Sequence, residues 1–157
     1  MIFSAVVQET CQEGCRFGGV QTGNRVREED GVTIDMVVDR FFEAVERGDW
    51  GTLDALYADD LSVWHNFSDE VQTKEENIAS LRRSRAVAAW NYVVAERIVI
   101  GDRVIQRHAA RIQIEGHPEL LCHAVLFITV REGQIAHIDE YLDTAAIQPI
   151  RARTPNN

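Results

Sequence analysis

The sequence predicts an α+β domain in which helices pack on one face of a strongly curved antiparallel sheet. Apolar residues recur at helical spacing in residues 33–47 and 73–85, and at a spacing of two from Trp90 onward. Short turns separate the long strand-like runs of the second half, which favours antiparallel neighbours. Helices followed by a run of such strands are typical of α+β folds.

The first two predicted helices form a hairpin. Residues 33–47 carry an apolar face, Thr33 or Asp35 can cap its start, and Gly48 can end it. Asp49 then caps a shorter helix with a second apolar stripe, which closes at Asp59 and the aspartate after it. The apolar face of the first helix consists of Ile34, Val37, Val38, Phe41, Phe42 and Val45.

A strand is predicted at residues 61–67, and a third helix begins at the capping box of Thr73 and Glu76. Four long strands follow at residues 91–100, 103–114, 120–130 and 134–142, separated by turns that contain glycine. Together these four strands predict an antiparallel meander.

Composition bounds the class of protein. At 157 residues, with 45% hydrophobic and 26% charged residues, the chain suits one globular domain. The net charge of −9 argues against a nucleic-acid partner, because phosphate backbones are bound by clustered Lys and Arg. No apolar run approaches the length of a membrane span and no signal peptide is evident, so we expect a cytoplasmic protein.

The domain is expected to span residues 32–146. Residues 1–31 sustain no periodic pattern and are expected to form a disordered tail, unless they reflect a translation start placed too far upstream. Residues 147–157 are expected to form a C-terminal tail. The three cysteines make neither a disulfide framework nor a zinc site, since Cys11 and Cys15 lack a second ligand pair and Cys122 is distant.

Three motifs resemble a known family. They are RGDW at residues 47–50, LYADD at 56–60 running into VWHN at 63–66, and GQI at 133–135 leading to IDEYLD at 138–143. In these the chain is similar to the nuclear transport factor 2-like (NTF2-like) superfamily, in its ketosteroid-isomerase-like and polyketide-cyclase-like (SnoaL-like) branch. The resemblance covers residues 32–146 and implies a cystatin-like α+β barrel with a conical pocket.

The resemblance also implies positions for site residues. In the isomerases a general base lies on the strand after the Ala-Asp-Asp corner, a position that His65 matches without a gap and Asn66 matches with one insertion. An acid before the final tyrosine lines the pocket in the cyclases, and Glu140 holds that place. Epoxide hydrolases of this fold bind water through an aromatic and an asparagine, which Trp64 and Asn66 match. They also need an Arg-x-Asp on a middle strand, which is absent after Arg107.

Strand alternation limits which of these side chains share a face. Trp64 and Asn66 point to one side of a strand and His65 to the other, so one set lies outside the cavity unless a bulge intervenes. His108 falls on the more apolar face of its strand, where burial would lower its pKa, and it is either a core histidine or a catalytic one. Glu140 shares the inward face of the last strand, either as a proton-transfer group or paired with an arginine.

These observations predict catalytic roles for His65, Glu140 and His108, with Trp64, Asn66, Tyr57 and His123 binding substrate. No metal and no cofactor are expected; a site of three histidines on three strands is a less favoured alternative. The predicted function is general acid–base chemistry, as an isomerase, dehydratase or other lyase, on an apolar steroid-like or aromatic polyketide-like molecule. The alternatives are a non-catalytic binding or dimerisation domain and an epoxide hydrolase.

Assembly is predicted from the run at residues 121–130. Both of its faces are apolar, with Val125 and Phe127 on one and Leu126 and Ile128 on the other. Only one face can line the cavity, and a soluble monomer rarely exposes the other. We therefore expect a homodimer through the outer face of the sheet, with a small apolar ligand and no membrane partner.

Overall fold

The computed structural model describes residues 33–154, so the predicted N-terminal tail lies outside the described residues. Four helices and six strands occur in this part of the chain, in an order that agrees with the predicted α+β class. They are α1 (Ile34–Arg47), α2 (Trp50–Leu56), β1 (Tyr57–His65), β2 (Val71–Gln72), α3 (Lys74–Val87), β3 (Ala89–Ile100), β4 (Arg103–Gln113), β5 (Leu120–Arg131), β6 (Gln134–Leu142) and α4 (Gln148–Arg151).

Helices α1, α2 and α3 begin at predicted caps and α1 ends at the predicted glycine, whereas α2 ends at Leu56, before the predicted Asp59. Thr33 accepts a hydrogen bond from the backbone N–H of Met36, and Gly48 ends α1 in the left-handed conformation with φ of 68°. Asp49 caps α2 in the same way as Thr33 caps α1. At α3 both halves of the capping box form between Thr73 and Glu76.

The six strands form one open, curved sheet in the order β2-β1-β6-β5-β4-β3. Strands β3 to β6 make the predicted antiparallel meander. The sheet as a whole is mixed, because β1 pairs parallel to β6, a parallel pairing that the predicted antiparallel sheet did not include. The outermost strands β2 and β3 do not pair with each other, and the sheet is therefore curved but not closed into a barrel.

The first strand begins earlier than predicted. β1 starts at Tyr57 and runs through both aspartates that the sequence suggested as a corner, with an irregularity in its pairing to β6 after Tyr57. The aspartates stay exposed and are bound from outside, Asp59 by Lys74 and Asp60 by Arg131. Backbone pairing with β6, at Tyr57 and again from Ser62 onward, makes the whole segment a strand.

Two short elements were not predicted. β2 is a two-residue strand on the edge of β1, and α4 lies in the segment that the sequence analysis describes as a C-terminal tail. Ile147 and Ile150 of this segment are buried in an apolar cluster with Ile112 and Cys122. A larger cluster fills the space between α1, α2 and the sheet. Within residues 33–154, no helix is both long and apolar enough to cross a membrane.

Candidate active site

A cavity of about 560 Å³ lies between the concave face of the sheet and the helices α1, α3 and α4. Small-molecule sites typically enclose roughly 300–1,000 Å³, so this cavity is large enough for a ligand. Its inner wall is mainly apolar and aromatic, with side chains such as Phe41, Phe42 and Leu126, whereas polar groups gather on α3 and around the mouth.

A histidine and a glutamate meet on the sheet wall of this cavity. His65 and Glu140 are direct partners on the neighbouring parallel strands β1 and β6. Their side chains are 13% and 22% exposed, and Nε2 of His65 lies 3.2 Å from Oε2 of Glu140. On β6 the alternation that carries Ile138 and Leu142 into the cavity also carries Glu140 there. An acid and a base therefore lie 3.2 Å apart beside the space for a ligand.

His108 lies on β4 in the same cavity and is almost fully buried. Its ring makes edge contacts with Phe42 and Tyr92 at centroid distances of 5.1 and 5.3 Å. Burial lowers the pKa of His108, and the negative charge of Glu140 opposes this only in part. The imidazole is therefore neutral near pH 7. Its Nδ1 is buried and has no hydrogen-bond partner among the described residues.

The charge of Glu140 reaches the other ionisable groups of the cavity. Burial raises the pKa of Tyr57 and of Tyr92 well above the usual tyrosine range, and Glu140 raises both further. The same two causes raise the pKa of the Cys122 thiol to about 11. Both phenols and the thiol therefore stay protonated near neutral pH, so none of these three groups is an available base.

A chain of hydrogen bonds crosses the cavity from the sheet to α3. The hydroxyl of Tyr57 donates to Oδ1 of Asn77 at 2.8 Å, and Nδ2 of Asn77 donates to Oε1 of Gln72 at 2.9 Å. The sequence predicts Tyr57 as a site residue, whereas Asn77 and Gln72 are cavity residues that it does not predict. The available signal was that Asn77 falls on the inward face of α3, one turn before Leu81, where a packed helix would carry an apolar residue.

Four of the seven predicted site residues line the cavity, namely His65, His108, Glu140 and Tyr57. Trp64 does not, because it faces the opposite side of β1 from His65 and packs against Tyr141 at a centroid distance of 5.2 Å. The predicted alternation of this strand therefore holds, with His65 as the inward member.

Asn66 and His123 also lie outside the cavity. The side chain of Asn66 donates to the carbonyl of Leu142 at 3.0 Å and accepts from its N–H at 3.2 Å, which ties the end of β1 to the end of β6. His123 is exposed on the outer face of β5 and pairs with Ala109 in register. Since His65 and His108 point inward, His123 cannot join them around one metal ion.

Several other cavity residues were missed. Trp90 and Tyr92 alternate on one face of β3, and their aromatic spacing of two was the signal that could have identified them. Three arginines also line the cavity, namely Arg83, Arg85 and Arg151. Arginines on a helix are normally predicted to lie on its solvent-exposed face. The sequence therefore offered no local signal for a place in the cavity.

Comparison with known proteins identifies the family of this fold. The model of the SnoaL-like domain matches residues 38–138. Among curated proteins, no sequence matches the chain significantly.

Solved structures share the fold at low sequence identity. An epoxide hydrolase from M. tuberculosis, of the type named LEH-like, is 19% identical with a TM-score of 0.62 over 75% of this chain and 88% of its own. A ketosteroid isomerase-like protein from Catenulispora acidiphila, solved with trimethylamine, is 17% identical with a TM-score of 0.65 over 78% and 94%. A putative SnoaL-like polyketide cyclase from Shewanella denitrificans is 13% identical with a TM-score of 0.65 over 75% and 96%.

Proposed function

Because this chain belongs to the SnoaL-like domain family, as its motifs predict, we propose that it is an enzyme that moves protons on an apolar small molecule bound in the cavity. The reaction class is isomerisation, dehydration or a related lyase reaction on a steroid-like or aromatic polyketide-like substrate. The observation that carries this proposal is the 3.2 Å contact between His65 and Glu140 on the cavity wall.

Glu140 is the general base of the proposed reaction. Its Oε2 is engaged by His65, so Oε1 is the oxygen that takes a proton from a carbon next to a carbonyl group. The electron pair of the broken C–H bond moves toward the carbonyl oxygen. His108, a neutral imidazole on the same cavity wall, donates a hydrogen bond to that oxygen as negative charge develops.

His65 completes the proton balance. In an isomerisation, the proton held by Glu140 returns to a different carbon, and His65 keeps the carboxylate oriented throughout. In a dehydration, His65 protonates the leaving hydroxyl group, which departs as water. The buried phenol of Tyr57, held by Asn77, and the ring of Tyr92 shape the space for the substrate.

Two alternatives use the same cavity differently. A non-catalytic binding domain would bind ligands without converting them. An epoxide hydrolase would need a charged acid on the middle strand, but the inward positions of β4 are Gln106, His108 and Ala110, and Arg107 points outward to Glu96. The second alternative is therefore less favoured.

The proposal is tested by proton exchange in deuterated water. Cyclic β,γ-unsaturated ketones, β-hydroxy ketones and a cyclic epoxide are incubated with the protein, and NMR follows deuterium entry at carbon and product formation. We expect exchange with at least one ketone, reduced by about 100-fold or more in Glu140→Gln, since general acid–base groups typically contribute factors of 10² to 10⁴.

The control is Asp139→Asn, which removes one negative charge from the adjacent position on the outer face. Asp139 lies 3.0 Å from His137, away from the cavity, so this variant should keep full activity. Unchanged exchange in Glu140→Gln would refute the role of Glu140. Thermal stabilisation by ligands without exchange or conversion would favour a binding domain, and diol formation would favour the hydrolase.

A further inference from the structure

The mouth of the cavity is positively charged in a protein that is acidic overall. Arg83 and Arg85 of α3 and Arg151 of α4 line it, whereas the whole chain has a net charge of −9. Glu70 lines the same region and offsets one of the three charges. The rim therefore retains positive charge against the sign of the molecule.

None of these three arginines has a carboxylate partner within 4 Å in residues 33–154. Ion pairs do form elsewhere, since Arg97 binds Asp35 and Asp39. Five further arginines of the described residues also have no carboxylate partner, namely Arg40, Arg82, Arg103, Arg111 and Arg153. What sets these three arginines apart is that all of them line one cavity, in a chain with 25 acidic residues against 16 basic ones. Their charge is available to a ligand.

Arg85 is held rigidly but keeps free donors. Its Nε and Nη2 both donate to the carbonyl of Glu46 in the last turn of α1, at 3.0 and 2.6 Å, and its Nη1 donates to the carbonyl of Ala88 at 3.4 Å. A guanidinium group has five N–H donors, so two remain. A half-buried charge that is neutralised only by carbonyl dipoles would be stabilised further by an anion.

Arg151 lies near the His65–Glu140 pair, with the ring of Phe67 between Arg151 and His65. Its guanidinium carbon lies 5.0 Å from the centroid of the Phe67 ring, and that ring lies 4.9 Å from the ring of His65. These two steps bound the separation of Arg151 and His65 at about 10 Å. The position of α4 is set by Ile147 and Ile150, which are buried beside the cavity.

We propose that the natural ligand carries a carboxylate, which Arg151 and Arg83 bind at the mouth with support from Arg85, while its apolar body fills the cavity. The planar fork of a guanidinium group suits a carboxylate because two parallel N–H groups can donate to its two oxygens. This inference rests on the proposed function only for the orientation, in which the reacting carbon faces Glu140. The anion site itself does not depend on catalysis.

The test compares two probes of equal shape, naphthalene-2-acetate and its uncharged amide, by isothermal titration calorimetry at low salt. We expect the acid to bind wild-type protein about tenfold more tightly than the amide. A tenfold change in Kd corresponds to the free energy of about one charge-assisted hydrogen-bond pair. The preference should shrink to about threefold or less in Arg83→Gln and in Arg151→Gln. Both side chains are exposed, so neither substitution should disturb the fold.

The matched control is Arg82→Gln. Arg82 neighbours Arg83 on the same helix but lies over the Trp50 ring, 5.5 Å from its centroid, and does not line the cavity. The Arg82→Gln variant removes the same charge as the other two variants, but it should keep the tenfold preference for the acid over the amide. Equal binding of acid and amide by wild type, no binding of either probe, or an equal loss in Arg82→Gln would each overturn the anion site.

Failure of this inference can be distinguished from failure of the proposed function. Glu140→Gln should bind the acid at least as tightly as wild type, because it removes a negative charge from the cavity. A carboxylate preference without proton exchange on any ketone would refute the catalytic proposal and support the anion site. Proton exchange without a carboxylate preference would support the catalytic proposal and refute the anion site.

Discussion

Tyr57 and Asn77 are joined by a 2.8 Å hydrogen bond inside the cavity, between side chains that are 20 residues apart in the sequence. Tyr57 comes from the start of β1 and Asn77 from the first turns of α3, and both are buried. The bond therefore fixes the distance between the sheet and the helix that carries two of the rim arginines.

We expect Tyr57→Phe to lower the free energy of unfolding by about 1–3 kcal/mol, because it leaves Oδ1 of Asn77 buried without its donor. Urea denaturation measures the change. Tyr141→Phe is the control, since the side chain of Tyr141 is exposed on the outer face and its hydroxyl should contribute little. A double-mutant cycle with Asn77→Ala should show a coupling energy of about 1 kcal/mol; additive effects would contradict the assigned bond.

His108 gives the folded protein a defined dependence on pH. Burial lowers its pKa below the ordinary value of 6.5, so the unfolded chain binds the proton more readily than the folded one. Stability is therefore lost as pH falls from about 6.5 toward the lowered pKa, with a slope of at most about 1.4 kcal/mol per pH unit, and this loss stops below the lowered pKa.

The measurement is the free energy of unfolding of wild type and His108→Gln between about pH 5 and pH 8. We expect the difference between the two curves to change across this window, since only wild type carries the buried imidazole. Glu140 acts on His108 through its charge and is present in both proteins. The control is His123→Gln, because His123 is exposed on the outer face. Its curve of unfolding free energy against pH should run parallel to that of wild type. Parallel curves for His108→Gln would show that His108 is not buried in its neutral form.

The sequence could predict the inward positions of the long strands because alternation is a local property. A spacing of two on β4 and β6 was enough to place His108 and Glu140 on the cavity side. The helix caps at Thr33, Asp49 and Thr73 could also be predicted from the sequence. Each of these side chains accepts a hydrogen bond from a backbone N–H three residues later, which is a local contact.

The remaining features depend on contacts between distant segments. Residues from Tyr57 to Asp60 directly follow a helix and belong to a strand because β1 pairs with β6, a segment far away in the sequence. Asn66 has the residue type of a site asparagine, yet it binds the backbone of Leu142, 76 residues away. Arg151 joins the cavity only because α4 folds back onto it, which no local pattern indicates.

Aromatic side chains gather on the outer face of the sheet. Trp64 and Phe127 both pack edge-on against Tyr141, at centroid distances of 5.2 and 6.1 Å. Tyr141 is nevertheless 49% exposed, and Leu121 is as exposed on the same face. Exposed apolar clusters of this kind mark interaction surfaces, and a second copy of the chain offers the same cluster by symmetry.

We therefore expect a homodimer in solution, with a mass twice that of the 17.8 kDa chain by sedimentation at micromolar concentration. Tyr141→Lys should shift the protein toward monomer, because two symmetric copies would each place a charge in the centre of the contact. Met36→Lys is the matched control, since Met36 is 47% exposed on α1, away from this face, and its variant should remain dimeric. Arg111, exposed on the same face, is available to pair with the partner's Asp139 at the edge of the contact. A wild-type mass of one chain, or equal dissociation of both variants, would contradict a dimer through this face.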